Sequence, residues 1–480
     1  MEGLLLISEN GNDDNGSDIA LATDFYELTM AAAYHCSSDY ADKKKKGIFE
    51  MFVRRLPRNR SYLVAAGLEQ ALYFLMKLKF NDKQISYLKS LKSFKNVDRN
   101  FFEYLKKFKF TGTVWAVPEG TVLFPNEPII RIEAPIIEAQ IVETYILSMI
   151  NFQSLIASKA SRIVMAAKGQ PIIEFGSRRA HGPQAALLAA RASYIGGCVG
   201  TSNALAGYKL GIPMFGTMAH SFIMSFDSEE EAFKEFVSVF PSGYLLVDTY
   251  DSIAAIKKII QARIHTSGIR LDSGDLYYLS IKARRLLDCA GYSNTKIMAS
   301  GDLNEYLIRD LVNRHAPIDS FGVGTELSTS RDDPAMNGVY KLVAIKLATS
   351  LPHPGRKKSD DDITLYKLKT SPGKKTYPGS KQIYRIIVNN IIKKDVITLV
   401  DEKQVHDYSG VLGVPLLRKV LDKGRILINK MPTIEEIQIY RGKQINILPP
   451  EFKDLDAVPE EFPVMYSEKL NTITKEFKVV

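Results

Sequence analysis

What this chain has little of narrows it first. Among 480 residues there are only three cysteines, Cys36, Cys198 and Cys289, widely spaced and odd in number. They match no zinc or redox motif, which argues against a disulfide framework and for a reducing compartment with the thiols as core filler. No apolar run reaches the length of a bilayer span, so a helical membrane protein is not expected. The opening segment carries Leu4-Leu5-Leu6-Ile7 with no basic region before it and acids soon after. It reads as a disordered tail over residues 1–18 rather than a signal peptide, and a cytosolic protein is expected.

Negative charge is also in deficit, with 63 Lys and Arg against 54 Asp and Glu, a formal +9. Much of the excess lies in Lys43–Lys46, Arg356-Lys357-Lys358 and Lys374-Lys375. Such runs are usually solvated loops. No nucleic-acid motif with interleaved aromatics accompanies them, so neither nucleic acid nor a membrane is the expected partner. A non-catalytic, polyanion-binding protein is the alternative that these runs motivate.

The length calls for more than one domain around a large core. Asp24-Phe25-Tyr26-Glu27 fits a capping box that opens a helix. Leu63 to Phe80 and Asp82 to Phe108 read as amphipathic helix. Val114–Val117, Thr121–Phe124 and Ile129–Ile132 are short β-rich runs of a small, mostly antiparallel sheet. These fall in an N-terminal α/β sandwich over 19–150.

A second regime follows, in which one unit repeats: an apolar strand, a polar Gly-containing turn, a helix. The strands are Ile172–Phe175, one near Cys198-Val199, Pro213–Gly216, Tyr244–Val247, Ile269–Leu271, Lys296–Ala299 and Ser320–Val323, with Val339–Ile345 as one more. Repeated βα units imply right-handed crossovers and a parallel sheet. Seven or eight of them predict an irregular TIM-like (β/α) barrel over 151–347. The region 348–480 reads as charged linkers, His353–Ser371 and Gly373–Lys381, then a small β-rich appendage with strands at Ile383–Val388 and Asp395–Leu399.

In such barrels the chemistry sits just after each strand. Gly268 to Leu276 reads G-I-R-L-D-S-G-D-L, so the strand alternation puts Arg270 and Asp272 on one face. Ser273-Gly274-Asp275 then supplies turn and helix cap. The plainer reading is a buried Arg–Asp pair that only holds the strand end. Phe175-Gly176-Ser177-Arg178-Arg179 offers a ring to stack on and guanidinium groups for phosphate. Gly200-Thr201-Ser202-Asn203 is neutral and hydroxyl-rich. In Gly216-Thr217-Met218-Ala219-His220-Ser221-Phe222, His220 follows a strand end in a tract otherwise small or apolar. Its imidazole suits a general base, a metal ligand or a nucleophile, and no cluster with zinc spacing surrounds it. Ser300-Gly301-Asp302 ends one later strand and Gly322-Val323-Gly324-Thr325 another, where alternate glycines let backbone N–H groups approach an oxyanion. The sum suits a phosphorylated sugar and a flat ring.

Ala22–Tyr26, Phe175–Ala180, Gly216–Phe222, Arg270–Asp275 and Gly322–Thr325, in this order, closely resemble the nicotinate phosphoribosyltransferase family. The resemblance implies the type II phosphoribosyltransferase architecture, working as a homodimer with active sites at the subunit interface. It implies magnesium- or manganese-dependent joining of nicotinate to 5-phosphoribosyl 1-pyrophosphate, giving nicotinate mononucleotide and pyrophosphate in NAD salvage. ATP hydrolysis would be coupled through a phosphorylated histidine, matched by His220. Tyr26, lent by the partner subunit, and Phe175 would sandwich the pyridine ring, with Thr217 and Arg270 lining the nicotinate site. Arg178 would hold pyrophosphate and Asp272 the ribose hydroxyls. Gly322, Gly324 and Thr325 would bind the 5-phosphate, and Gly301, Asp302 and Arg331 are looser matches. The resemblance names no metal ligands. Nicotinamide-using relatives carry an aspartate where this chain has Ser202; a carboxylate would accept from a carboxamide but repel nicotinate. Ser202 therefore favours the acid, with the amide as the alternative substrate.

Overall fold

The computed structural model describes residues 18–37, 45–347, 363–371, 374, 376–402, 410–427, 431–455 and 461–477. Residues 1–17 of the expected tail over 1–18, and 353–362 of the expected linker His353–Ser371, lie outside them. Three antiparallel strands come first: β1 (Lys45–Val53), β2 (Thr113–Ala116) and β3 (Ile130–Pro135). Six parallel strands follow: β4 (Ile172–Glu174), β5 (Gly200–Thr201), β6 (Tyr244–Leu246), β7 (Gly268–Leu271), β8 (Lys296–Ala299) and β9 (Ser320–Val323). Four more complete the frame: β10 (Gly338–Leu347), β11 (Ile363–Tyr366), β12 (Lys381–Val388) and β13 (Ile391–Leu399).

The parallel strands are ordered β5-β4-β9-β8-β7-β6. The first strand lies beside the last, which is the winding of a barrel, but β5 and β6 stand at opposite edges. The strand expected at Pro213–Gly216 contributes only a bridge between Met214 and Thr201. Pro213 accepts from the Thr201 N–H and the Phe215 N–H donates to Thr201, but Pro213 has no N–H of its own to extend the ladder. The sheet is therefore a half-barrel, open on that side. Helices pack on its outer face and bury a continuous apolar core that includes Ile269, Leu271, Ile297 and Phe321. Four connecting turns end in a side-chain cap: Asn203, Asp251, Asp275 and Asn304 each accept from backbone N–H groups of the helix that follows. A cap of this kind contributes about 1 kcal/mol, and here it also fixes the loop between strand and helix.

Val339–Ile345 is not another parallel unit. It lies within β10, which runs antiparallel to β1 in a separate seven-stranded sheet. Alternating apolar residues specify a strand but not its partner. The same sheet takes in β11, whose residues had read as linker, and at its far side Arg418–Asp422 pairs with β2. The expected helices are shorter than their patterns: Leu68–Lys77, then Asp82–Ser90 and Arg99–Lys106, with Leu63–Val64 a short strand. The helix Phe25–Cys36 exists, but Asp24 does not cap it. Its carboxylate accepts from Thr144 Oγ1 at 3.0 Å, and Glu27 accepts from Gln140 instead.

One long helix, Glu143–Ala166, joins the layers, packing on the helices Pro183–Ile195 and Glu305–Asn313. Its buried Lys159 reaches Glu305 at 2.6 Å and Asp332 at 3.1 Å, while Arg60 reaches Asp332 at 2.7 Å. This network ties the loop after β9 to the rest of the mouth. Among the described residues no helix is long and apolar enough to cross a membrane.

Candidate active site

The carboxyl ends of the parallel strands surround a cavity of about 310 Å³. Phe175, Arg178, Ser202, Thr217, His220, Arg270 and Asp272, seven of the residues singled out from the sequence, all line it. They come from the ends of β4, β5 and β7 and the segment after Met214, so parallel winding alone brings them together. A larger cavity of about 960 Å³ opens at the opposite ends of β6, β7 and β8, by Tyr244, His265 and Tyr292. None of the strand-end motifs reaches it.

Arg270 is the hub. Its Nε donates to Ser300 Oγ at 2.8 Å, Nη1 to Thr217 Oγ1 at 3.0 Å and Nη2 to Asp272 Oδ1 at 2.6 Å. A guanidinium has five N–H donors. With three engaged, two remain, one on each terminal nitrogen. That leaves a fork able to receive a carboxylate. Cζ lies 5.5 Å from the centre of the Phe175 ring, so a flat ligand stacked on that ring would meet the fork edge-on. A Cβ at Gly322 would sit 2.4 Å from the same ring, which is why the position must lack a side chain.

Asp272 is held between two effects. Burial pushes its carboxyl upward, while the hydrogen bond from Ser300 and the charge of Arg270 outweigh burial and keep it below the usual range. Its Oδ2 stands 4.0 Å from His220 Nε2. The other ring nitrogen, Nδ1, lies 3.1 Å from Thr249 Oγ1. With Thr249 as acceptor, the Nδ1–H tautomer leaves Nε2 with a free lone pair. The imidazole side chain is 43 % exposed, so a phosphate donor can reach it.

Beneath the cavity Glu174 accepts from the Gly176 N–H and the Thr201 hydroxyl, locking two strand-end loops together. Burial pushes its carboxyl upward. Gly301 has φ +89°, and a Cβ there would lie 1.8 Å from the Asp272 carbonyl oxygen. Asp302, with φ +42°, is exposed beside it. Gly324 backs the Phe175 backbone and precedes the short helix Thr325–Ser328. Neither Thr325 nor Asp302 lines the 310 Å³ cavity, and Arg331 points outward to Glu326 at 3.4 Å. Tyr26 is 47 % exposed on the helix Phe25–Cys36 and does not line this chain's cavity.

Sequence reasoning missed Ser300 and Thr249 as partners of Arg270 and His220. Both follow strands already identified, so the rule that pointed to the other strand ends also covered them. It also missed Asp248, which accepts from Ser273 Oγ at 2.5 Å while its Oδ1 is buried and without a partner.

The family model for the nicotinate phosphoribosyltransferase N-terminal domain matches residues 21–151, and the nicotinate phosphoribosyltransferase family model matches 171–362. The chain is 42 % identical over 458 residues to a nicotinate phosphoribosyltransferase of Mycobacterium tuberculosis, covering 94 % of this chain and 92 % of that protein. Its counterpart from Bacillus subtilis is 40 % identical, with 94 % and 93 % covered. The crystal structure of human nicotinic acid phosphoribosyltransferase superposes with a TM-score of 0.78 at 26 % identity, covering 94 % of this chain and 99 % of the human one. The chain belongs to the nicotinate phosphoribosyltransferase family.

Proposed function

We propose that the cavity joins nicotinate to 5-phosphoribosyl 1-pyrophosphate, with nicotinate mononucleotide and pyrophosphate as products, and that ATP hydrolysis is coupled to it through His220. The activity is nicotinate phosphoribosyl transfer in NAD salvage. The observation that carries the substrate reading is the Arg270 fork beside the Phe175 ring: two free N–H groups for a carboxylate, next to a face for a pyridine.

In this reading Thr217 and Asp272 hold the fork in place, and Ser202 puts a neutral hydroxyl, not a further carboxylate, at its own position. Asp272 Oδ2, free of Arg270, accepts from a ribose hydroxyl. Arg178, exposed at the rim, receives pyrophosphate as charge builds on it. The nicotinate nitrogen is itself the nucleophile at the anomeric carbon, so no side chain need remove a proton from it. Gly322, Gly324 and Thr325 take the 5-phosphate, with Gly301, Asp302 and Arg331 at the edge of the same site. His220 Nε2 attacks the γ-phosphate of ATP as the bond to the β-phosphate oxygen breaks and ADP leaves; the phosphoryl group adds about two negative charges to the mouth until water cleaves the N–P bond and releases phosphate.

Among the described residues no three His, Cys, Asp or Glu side chains form a metal cage. Asp248 and Asp272, with Asp248 Oδ1 unpaired, fit a magnesium or manganese ion that takes most of its ligands from pyrophosphate and water. Bound there, the ion would neutralise charge on the leaving group. Tyr26, exposed away from its own cavity, fits a homodimer in which each subunit completes the partner's ring sandwich. Three unpaired cysteines fit a cytosolic location.

The test is pyrophosphate release from phosphoribosyl pyrophosphate and magnesium with nicotinate or nicotinamide, each with and without ATP. Release with nicotinate, stimulated by ATP, is expected. Faster release with nicotinamide would overturn the substrate assignment.

A further inference from the structure

Ser300 is 2 % exposed and stands at the carboxyl end of β8, whose pairing with β7 sets Ala299 opposite Leu271. Its backbone N–H donates to the Leu271 carbonyl at 2.8 Å, so its Cα is fixed relative to the strand that carries Arg270 and Asp272. A hydroxyl has one proton and two lone pairs. Here the proton goes to Asp272 Oδ1 and a lone pair receives Arg270 Nε–H. Among the described residues the only other acceptor in reach, the Leu271 carbonyl, is at 3.5 Å.

We propose that Ser300 is a positioning residue for nicotinate: its hydroxyl fixes the rotation of the Arg270 guanidinium, so that the two free N–H groups face the ring stacked on Phe175. This rests on the nicotinate reading above and deepens it. Thr217 and Asp272 each hold one terminal nitrogen. Ser300 fixes the direction of the Nε–H bond, which turns with the plane about the Cδ–Nε axis, and its own proton fixes Asp272 Oδ1, so it sets two of the three contacts. Removing the hydroxyl leaves Arg270 Nε–H and Asp272 Oδ1 each short of one partner. A Cβ on Gly322 would lie 3.3 Å from that of Ser300.

The experiment compares wild type, Ser300→Ala and Ser300→Thr in steady-state kinetics, with unfolding temperatures alongside. Wild-type turnover of nicotinate upholds the substrate reading; a wild type silent toward nicotinate overturns that reading and the role of Ser300 with it. Given an active wild type, Ser300→Ala should lower kcat/KM for nicotinate about ten- to a hundredfold, the effect of losing a hydrogen bond to a charged group. The effect on KM should be larger for nicotinate than for phosphoribosyl pyrophosphate. Ser300→Thr, which restores the hydroxyl, should recover most of the activity, and all three proteins should unfold within a few degrees of one another. A Ser300→Ala enzyme within twofold of wild type, or one whose KM rises equally for both substrates, would overturn the proposal. So would a Ser300→Thr enzyme as impaired as the alanine variant.

Discussion

Two arginine–aspartate pairs in this molecule share their chemistry and differ in what they leave over. Arg385 faces Asp395 across the β12–β13 hairpin, both fully buried. Its donors go to Asp395, the Val122 carbonyl and Gln444, four of the five N–H groups, and its face covers the Phe124 ring. Arg270 pairs with Asp272 along one strand, 14 % exposed, and keeps two donors open to a cavity. The first pair closes on itself and holds three segments of chain together. The second is held by its neighbours so that an anion can complete it. Pairing alone does not mark a functional arginine; the unspent donors do.

The two should fail differently. Arg385→Ala would strand Asp395 beside Glu127, whose carboxyl is already pushed well above its usual range by burial and by Asp395. A loss of about 3–5 kcal/mol in denaturant unfolding is expected, with the rate per folded molecule unchanged. Arg270→Ala should do the reverse: a loss of about two to three orders of magnitude in kcat/KM for nicotinate, about 3–4 kcal/mol, with little change in unfolding. Equal loss of stability in both variants would erase the distinction.

His220→Ala separates the coupling function from the open pair. Nicotinate-stimulated ATP hydrolysis should fall to background while ATP-independent pyrophosphate release persists. Sustained ATP hydrolysis in that variant would contradict the phosphohistidine role.

Subunit mixing tests the proposed homodimer and its shared site. Tyr26→Ala and Arg270→Ala homodimers, each nearly inactive, should recover about a quarter of wild-type activity when refolded together, because half of the dimers then hold one intact site of two. No recovery would place Tyr26 outside its partner's site.

Glu27 supplies the smallest effect and a third case, a buried carboxylate with no cation beside it. Gln140 Nε2 donates to Glu27 at 2.7 Å and to Glu143 at 3.1 Å, so two acids share one amide. Burial, with Glu143 and Asp24 nearby, raises the Glu27 pKa to about 7 despite hydrogen bonds from Gln140 and Tyr26. A carboxyl whose pKa is higher folded than unfolded binds more protons in the native state. Its stabilisation is full below the unfolded value of about 4.5 and is lost as pH rises through about 7. Wild type should therefore lose about 1–2 kcal/mol relative to Glu27→Gln between pH 5 and 8. Parallel pH profiles of unfolding would remove Glu27 from this account.

Much of the mouth was legible because it is built from short, local signals. An apolar triplet, a glycine, a cap and a helix declare a βα unit, and parallel winding brings the ends of such units to one side. Arg270, Asp272, His220, Thr217 and Phe175 could be found in this way. What escaped was pairing at a distance. The strand at Val339–Ile345 has the same pattern as its parallel neighbours, yet joins β1 about 290 residues earlier in the chain. Asp24 and Glu27 carry the spacing of a capping box, yet Thr144 and Gln140, from two other helices, take the two side chains.

The sequence by itself determined the βα repeat, the chemistry at each strand end and the family, because periodicity, turn residues and motif order are properties of neighbouring residues. Tertiary structure alone decided that the barrel stays open between β5 and β6 and that β10 belongs to another sheet. It also decided that Ser300 holds the plane of Arg270. Each of these depends on which backbone lies within hydrogen-bond reach, and that is set by the packing of segments far apart in the chain.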